Sequence, residues 1–280
     1  MYRVVGKRQL SSAIALLEVE APAIAAKVEP GQFIILRIDE IGERIPLTVS
    51  DFDRGKGTLT IVVQDVGYSS ARIIGMNIGD EFLDFVGPLG IPSEIENYGT
   101  VVCIGAGLGV APIYPIARAL KAAGNRVISI VGSRSADLLI LEEEMRTVSD
   151  EVVITTNDGS RGVKGFLTHG LIHVLKQGHQ VDRIWAIGPV PCMKAIVDYT
   201  RPREIKTIVS LNPIMVDGTG MCGACRVSVG NETKFACVDG PEFDGHLVDF
   251  DLALQRLTFY RDEENRARAR LECNHEGGRH

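Results

Sequence analysis

Residues 101–112 read VVCIGAGLGVAP, an apolar run that breaks into glycines and then into a helix-forming stretch. Val101–Ile104 suits a buried strand. Gly105, Gly107 and Gly109 permit close backbone approach, and Pro112 belongs in the first turn of a helix starting near Ala111. A helix N-terminus behind a glycine turn offers free N–H groups to a pyrophosphate. The spacing is G-x-G-x-G rather than G-x-G-x-x-G, so this turn alone does not specify a dinucleotide. Its surroundings say more.

On the C-terminal side, RVISIVGS, EVVITTN, DRIWAIG and IKTIVSL read as further buried strands. Between them lie helix-like segments: APIYPIARALKAAG, LLILEEEMRTV, FLTHGLIHVLKQG and VPCMKAIVDYTR. Such alternation predicts parallel βαβ units. Three more loops then share the carboxyl edge of the sheet with the glycine turn, where open α/β sheets bind ligands. They carry Ser133 and Arg134, Asn157 and Asp158, and Gly188 and Pro189. No acidic residue closes the second strand, and an arginine there suits a 2′-phosphate, so these residues leave NADH and NADPH both open.

On the N-terminal side the rhythm differs. FIILRID, PLTVSDF and TLTIVVQD are short β-branched runs separated by Gly, Pro and Asp turns, which predicts a small antiparallel barrel. SSARIIGM interrupts them as a helix, with Ser69 and Ser70 as the expected N-cap residues. The expected units are a barrel over 1–97, an α/β unit over 98–210, a Gly/Cys-rich segment over 211–260 and a charged tail over 261–280. The 280 residues, 45% hydrophobic, suffice for about two domains with a substantial core. A formal charge of −6 without a dense basic run argues against nucleic acid or a membrane surface as partner. No apolar run approaches the roughly 20 residues of a bilayer span, and MYRVVGKRQL lacks a signal-peptide core, so a cytoplasmic location is expected.

The third segment, VDGTGMCGACRVSV, places Cys222 and Cys225 in a C-x-x-C, and Cys237 follows. A plant-type iron–sulfur run reads C-x4-C-x2-C…C, and the position of its first cysteine is Asp217. Three readings stand beside one another: a [2Fe–2S] cluster with one carboxylate ligand, a zinc site of three thiolates and a carboxylate, and a degenerate site. Gly218, Gly220 and Gly223 would let amides approach cluster sulfides, which a zinc knuckle needs less. Cys103, Cys192 and Trp185 read as packing residues, His169 and His173 as an ordinary helical pair. Cys273 falls in the tail.

Together, R-x-P-x-T (Arg44, Pro46, Thr48), G-x-S-S (Gly67, Ser69, Ser70), GAGLGVAP, GPVP and D-x4-C-x2-C resemble the ferredoxin–NADP reductase superfamily. Within it the resemblance is to the electron-transfer subunits of dihydroorotate dehydrogenase. It is strongest to the alpha (small) subunits of NADH-dependent ferredoxin:NADP oxidoreductase, also called sulfide dehydrogenase small subunits. It spans about residues 1–260. It implies that Arg44 meets the FAD pyrophosphate, with Gly67, Ser69 and Ser70 cradling it. It implies that Pro46, Leu47, Thr48 and Val49 line the isoalloxazine, Thr48 near N5 as the catalytic position, with Gln64 and Val66 also at the flavin. Many relatives place the arginine three residues before the hydroxyl; here it is four. The nucleotide implied is NAD(H), held by Gly105, Gly107, Gly109, Pro112, Ser133, Arg134, Asn157, Asp158, Gly188 and Pro189. The cluster implied is [2Fe–2S] on Asp217, Cys222, Cys225 and Cys237, since the ferredoxin:NADP branch carries aspartate where the dihydroorotate branch carries cysteine. The partner implied is a larger flavin and iron–sulfur subunit binding NADP(H) and ferredoxin. A dihydroorotate dehydrogenase partner, or a non-catalytic NAD or redox sensor, are the alternatives.

Overall fold

The computed structural model describes residues 2–260, 262–267 and 269; Cys273 lies outside them. The N-terminal unit is built from β1 (Tyr2–Ser11), β2 (Ile14–Glu20), α1 (Pro22–Ala25), β3 (Phe33–Arg37), β4 (Ile45–Asp53), β5 (Thr58–Gln64), α2 (Tyr68–Gly75), β6 (Glu81–Phe82) and β7 (Asp84–Leu89). Its strand pairings are antiparallel in the order β6-β1-β2-β5-β4-β3-β7. Consecutive strands β6 and β7 end the two sides, so the sheet is a nearly closed barrel. Period-two patterning fills it: Leu17 and Val19, then Leu59, Ile61 and Val63, turn inward with Val4, Ile34, Leu36 and Phe82. Each such side chain contributes about 1.5–3 kcal/mol on burial.

The helix α2 begins one residue before the serines expected to cap it. Gly67 is the N-cap, and Ser70 serves from inside the first turn. Its Oγ accepts from the amides of Gly67 at 2.9 Å and Val66 at 3.0 Å. Asp or Ser directly before a helix is the commoner solution, but a hydroxyl at the third helical position reaches the same orphan donors.

The second sheet contains β8 (Thr100–Ala106), β9 (Arg126–Ser133), β10 (Glu151–Thr156), β11 (Val163–Lys164), β12 (Arg183–Ile187) and β13 (Lys206–Ser210). Beyond them come the hairpin β14 (Arg226–Val229) and β15 (Glu232–Phe235), then β16 (Glu242–Asp244). The order is β11-β10-β9-β8-β12-β13-β16, parallel except for β16, which pairs antiparallel to β13. Strand β8 alternates Val102 and Ile104 to one core with Val101 and Cys103 to the other. Helices α3 (Val110–Ala122) and α4 (Glu142–Thr147) cover one face; α5 (Leu167–Lys176) and α6 (Val190–Thr200) cover the other. All five strands expected here form. Of LLILEEEMRTV only the second half is helical. Leu141 takes φ 52° at the N-cap, and Ile140 and Leu141 are buried in the core instead. The last element, α7 (Phe250–Arg256), is capped by Asp249, whose Oδ1 accepts from the Leu252 amide at 2.9 Å.

The barrel meets this sheet through α3. Arg118 on that helix pairs with Asp51 of β4 at 2.6 Å and lies over the rings of Phe52 and Tyr114. That contact sets β4 and β5 against the carboxyl ends of β8 and β12.

Candidate functional site

Strand order reverses at β8, with β9 on one side and β12 on the other. There the chain leaves β8 through a tight turn, Gly107–Gly109, and enters α3. Gly107 has φ +55°. At Gly109 a Cβ would fall 2.1 Å from the carbonyl oxygen of Ile187, so the glycine turn lies backbone to backbone on the end of β12. Gly105 is buried beneath the turn, and Pro112 is half-buried in the first turn of α3. Helix-start amides therefore face a gap between two strand ends.

That gap opens into a cleft of about 630 Å³ between the sheet edge and the barrel. Gly107, Gly109, Pro112, Ser133, Arg134, Gly188 and Pro189 line one side. Pro46, Leu47, Thr48 and Gln64 line the other. Register explains the barrel wall: Thr48 pairs with Phe33 and Gln64 with Ile14, and all four border the cleft. Ser50 and Val62 join them, as does Cys192, whose half-burial pushes its thiol above the ordinary value. Cross-strand pairing was the signal that would have added Phe33 and Ile14 to the sequence reading. Nothing in the sequence flagged Leu211, Asn212, Met215, Pro241 and Leu257, which reach the cleft from the C-terminal segment.

Other expected residues lie elsewhere. Val49 is buried in the barrel core, and Val66 is exposed at the surface. Asn157 and Asp158 are exposed on the neighbouring loop; their amides donate to the carbonyls of Ser133 and Arg134, both at 3.2 Å, so they brace the Arg134 loop. The Asp158 carboxylate accepts from the Ser160 amide and hydroxyl, which hold its pKa down. At α2, the Ser69 hydroxyl donates to the Glu43 carboxylate. Arg44, next along, donates from Nε to the carbonyl of Val216 at 2.7 Å and from a terminal nitrogen to that of Asp217 at 3.4 Å. Arg44 thus ties the barrel to the cysteine segment.

That segment is docked tightly. Gly218 has φ +85°, and a Cβ there would meet Ile35 Cδ1 at 2.6 Å. Cys225 and Cys237 are buried with their sulfurs 3.2 Å apart. Burial first, and the Cys225 sulfur second, push the Cys237 thiol up to about 11. Cys222 is exposed, and the amides of Ala224, Asp217 and Val216 hold its thiol below the ordinary value. The Asp217 carboxylate accepts from the Thr219 hydroxyl, from the Thr219 amide at 2.9 Å and from the Met221 amide at 3.4 Å. The Thr219 hydroxyl is the main cause of its lowered pKa. Among the described residues, no three His, Cys, Asp or Glu donors converge as ligands of a single metal ion. The carboxylate and two of the thiols are instead spread along the glycine-rich loop 217–225, and Cys237 follows the β14–β15 hairpin.

Comparison with known proteins places the geometry. Residues 212–249 match the iron–sulfur cluster binding domain of dihydroorotate dehydrogenase B. The chain is 46% identical, over 93% of its length and 92% of the relative's, to a Thermotoga maritima homolog of the dihydroorotate dehydrogenase B (NAD(+)) electron transfer subunit. It is 32% identical to that electron transfer subunit from Bacillus cereus, over 86% of this chain and 94% of the other. A solved structure of NADH-dependent reduced ferredoxin-NADP oxidoreductase, from work on flavin-based electron bifurcation, superposes with a TM-score of 0.92. It is 45% identical and covers 97% of this chain and 98% of that one. With barrel, nucleotide sheet and cysteine loop all shared across nearly the full length, the chain belongs to the dihydroorotate dehydrogenase B electron-transfer subunit family, whose members are iron–sulfur flavoprotein oxidoreductase subunits using FAD, an iron–sulfur cluster and NAD(H) and serving a larger subunit.

Proposed function

We propose that this chain takes electrons from NADH and delivers them, through FAD and a [2Fe–2S] cluster, to a larger flavin and iron–sulfur subunit. That subunit would handle NADP(H) and ferredoxin, in an electron-bifurcating assembly. The observation that carries this reading is the shared cleft: barrel residues Pro46, Leu47, Thr48 and Gln64 face the glycine turn and the Gly188–Pro189 loop across one space. In the proposed division of labour, residues 1–97 hold the flavin, 98–210 the nucleotide and 211–260 the cluster. When bound, the nicotinamide supplies a hydride, the flavin splits the electron pair, and the cluster carries electrons singly.

The chain's own residues position and insulate. Thr48 offers a hydroxyl on the cleft wall beside Pro46 and Leu47, which exclude water. The α3 N-terminus and Gly107 offer amides to a phosphate, and Ser133 and Arg134 close that end. At α2 a carboxylate, Glu43, already sits on Ser69, as expected where a helix start favours an anion; Gly67 and Ser70 shape the same turn. The donor set suits two metal atoms better than one. Cys225 and Cys237 are buried side by side at the two ends of the β14–β15 hairpin, while Cys222 and Asp217 lie on the exposed loop before it, each faced by backbone amides. In the proposal these four residues ligate the cluster.

The identity to the Bacillus cereus subunit favours a second reading, with dihydroorotate dehydrogenase as the partner. The test is anaerobic bleaching of the flavin in the purified chain. We expect recovered FAD rather than FMN, about two irons with acid-labile sulfide per chain, and a kcat/KM for NADH at least tenfold above that for NADPH. A flavin that NADH does not bleach makes the chain a sensor. A preference for NADPH transfers Arg134 to a 2′-phosphate and overturns the NADH assignment.

A further inference from the structure

Glu242 on β16 lies where the three parts of the chain meet. Its Oε1 accepts from the Ser93 hydroxyl at 2.6 Å, on the linker that follows the barrel. Its Oε2 accepts from the indole N–H of Trp185, on strand β12, at 3.2 Å. Gly31, in the loop before β3, packs so closely that a Cβ there would stand 2.2 Å from Ser93 Oγ and 3.1 Å from Glu242 Oε1. Ser93 is 8% exposed and Trp185 1%. The residue before it, Pro241, lines the cleft.

The surrounding charges are accounted for. On β8, Cys103 feels this carboxyl, but it is fully buried, and burial first keeps its thiol protonated. Tyr98 packs against Trp185 with tilted rings, 5.8 Å between centroids. Arg183 on β12 covers the Tyr98 ring, but its guanidinium is paired with Glu94 at 2.8 Å. Asp244, two residues along β16, caps the His246 amide. No cation pairs with Glu242 among the described residues. Burial pushes its pKa up to about 7, against smaller opposing effects of the Ser93 and Trp185 hydrogen bonds.

The two partners differ in one respect. An indole N–H can only donate, whereas a hydroxyl can donate or accept. With the carboxyl ionised, both partners donate to it. With a proton on Oε1, the Ser93 hydroxyl turns round and accepts it, and the Trp185 bond to Oε2 survives. Both protonation states keep every hydrogen bond, so a proton can enter or leave without rearrangement.

We propose that Glu242, a half-buried carboxyl behind the cleft, is a proton-binding site that takes a proton from solvent as electrons from NADH accumulate on the bound redox groups. A hydride carries two electrons and one proton, so each one accepted adds one net negative charge, which one proton on the carboxylate removes. The charge-balancing role rests on the electron-transfer reading above; the proton site itself does not.

Trp185 is the single tryptophan of the chain, so its emission reports this carboxyl directly. In the holoprotein, Trp185 emission should titrate with one midpoint near neutral pH. Glu242→Gln, which copies the neutral form, should abolish that transition between about pH 5 and 9. Ser93→Ala removes a bond that favours the ionised form and should move the midpoint upward. Because the carboxyl pKa is raised on folding, the wild type should lose thermal stability from about pH 4.5 to about 7 relative to Glu242→Gln, and run parallel to it outside that window. On reduction by NADH near pH 7 with an indicator dye, the wild type should take up more protons than Glu242→Gln, by up to one per chain. A flat emission profile in the wild type, or an unchanged transition in Glu242→Gln, overturns the proton site. A titrating site with equal proton uptake in both proteins overturns only the charge-balancing role, and absence of reduction by NADH counts against the electron-transfer reading instead.

Discussion

Asp217 sits at the exposed rim of the cysteine loop, with its carboxylate anchored by Thr219 and Met221 rather than free to wander. A carboxylate oxygen is a harder ligand than a thiolate sulfur, so in the proposed ligand set it should tune the cluster's potential. We expect Asp217→Cys to keep the cluster but shift its EPR signal and reduction potential toward the all-cysteine type. Asp217→Ala should lose half or more of the bound iron and sulfide. An Ala variant with unchanged iron, spectrum and potential removes Asp217 from the ligand set. At this scale the sequence was readable where spacing is rigid, as in C-x-x-C, and unreadable where a side chain reaches across the fold. Arg44 stands 172 positions before Val216 along the chain, yet bonds its carbonyl. No local pattern encodes that, nor the Glu43 contact with Ser69.

At the scale of elements, the glycine turn after β8 does two jobs that only a missing side chain allows. It exposes amides at the start of α3, and it lets the end of β12 pass against it. Gly109→Ala would place a methyl group 2.1 Å from a backbone oxygen, and neither strand end can yield without moving its loop. We expect a loss of roughly 1–3 kcal/mol in stability and a rise in KM for NADH of tenfold or more, read by denaturation and by flavin bleaching. Unchanged KM would show that the turn does not touch the nucleotide. Strands and helices were legible from period and from Gly/Pro punctuation. The exception is α4, which starts at Glu142, after an apolar run of four residues that reads as helix in the sequence. Burial claimed Ile140 and Leu141 for the core, and the backbone of Leu141 turned left-handed to deliver them. The N-cap of α2 was misplaced for a related reason: a serine inside the first turn looks the same in sequence as one before it.

For the whole molecule, the two large units were visible as a change of rhythm near residue 98. Their relative placement was not. It depends on Arg118 and Asp51, on the linker carrying Ser93, and on a C-terminal strand too short to announce itself. The cysteine segment has little hydrophobic periodicity of its own in sequence. In the fold its Cys225, Val227, Val229, Ala236 and Cys237 join the same core as Ile104 and Ile130. Among the described residues no helix is long and apolar enough to cross a membrane.

The antiparallel strand β16 sets a limit on how this protein can be taken apart. A chain stopped at residue 211 would keep every strand of the barrel and every parallel strand, and would look on paper like a self-sufficient reductase. It would expose the hydrogen-bonding edge of β13, which β16 now covers at Ile208, Val209 and Ser210. It would also leave the Trp185 indole N–H without its carboxyl acceptor, a loss of about 1–3 kcal/mol in a buried site. Such a fragment should aggregate or pair edge to edge, as size-exclusion chromatography would report. A monomeric, flavin-loaded fragment would instead show that the sheet is complete without its last strand. If it does aggregate, the carrier of single electrons cannot be lost, swapped or shed by proteolysis while the hydride-accepting part lives on. The two chemistries are then inherited as one piece.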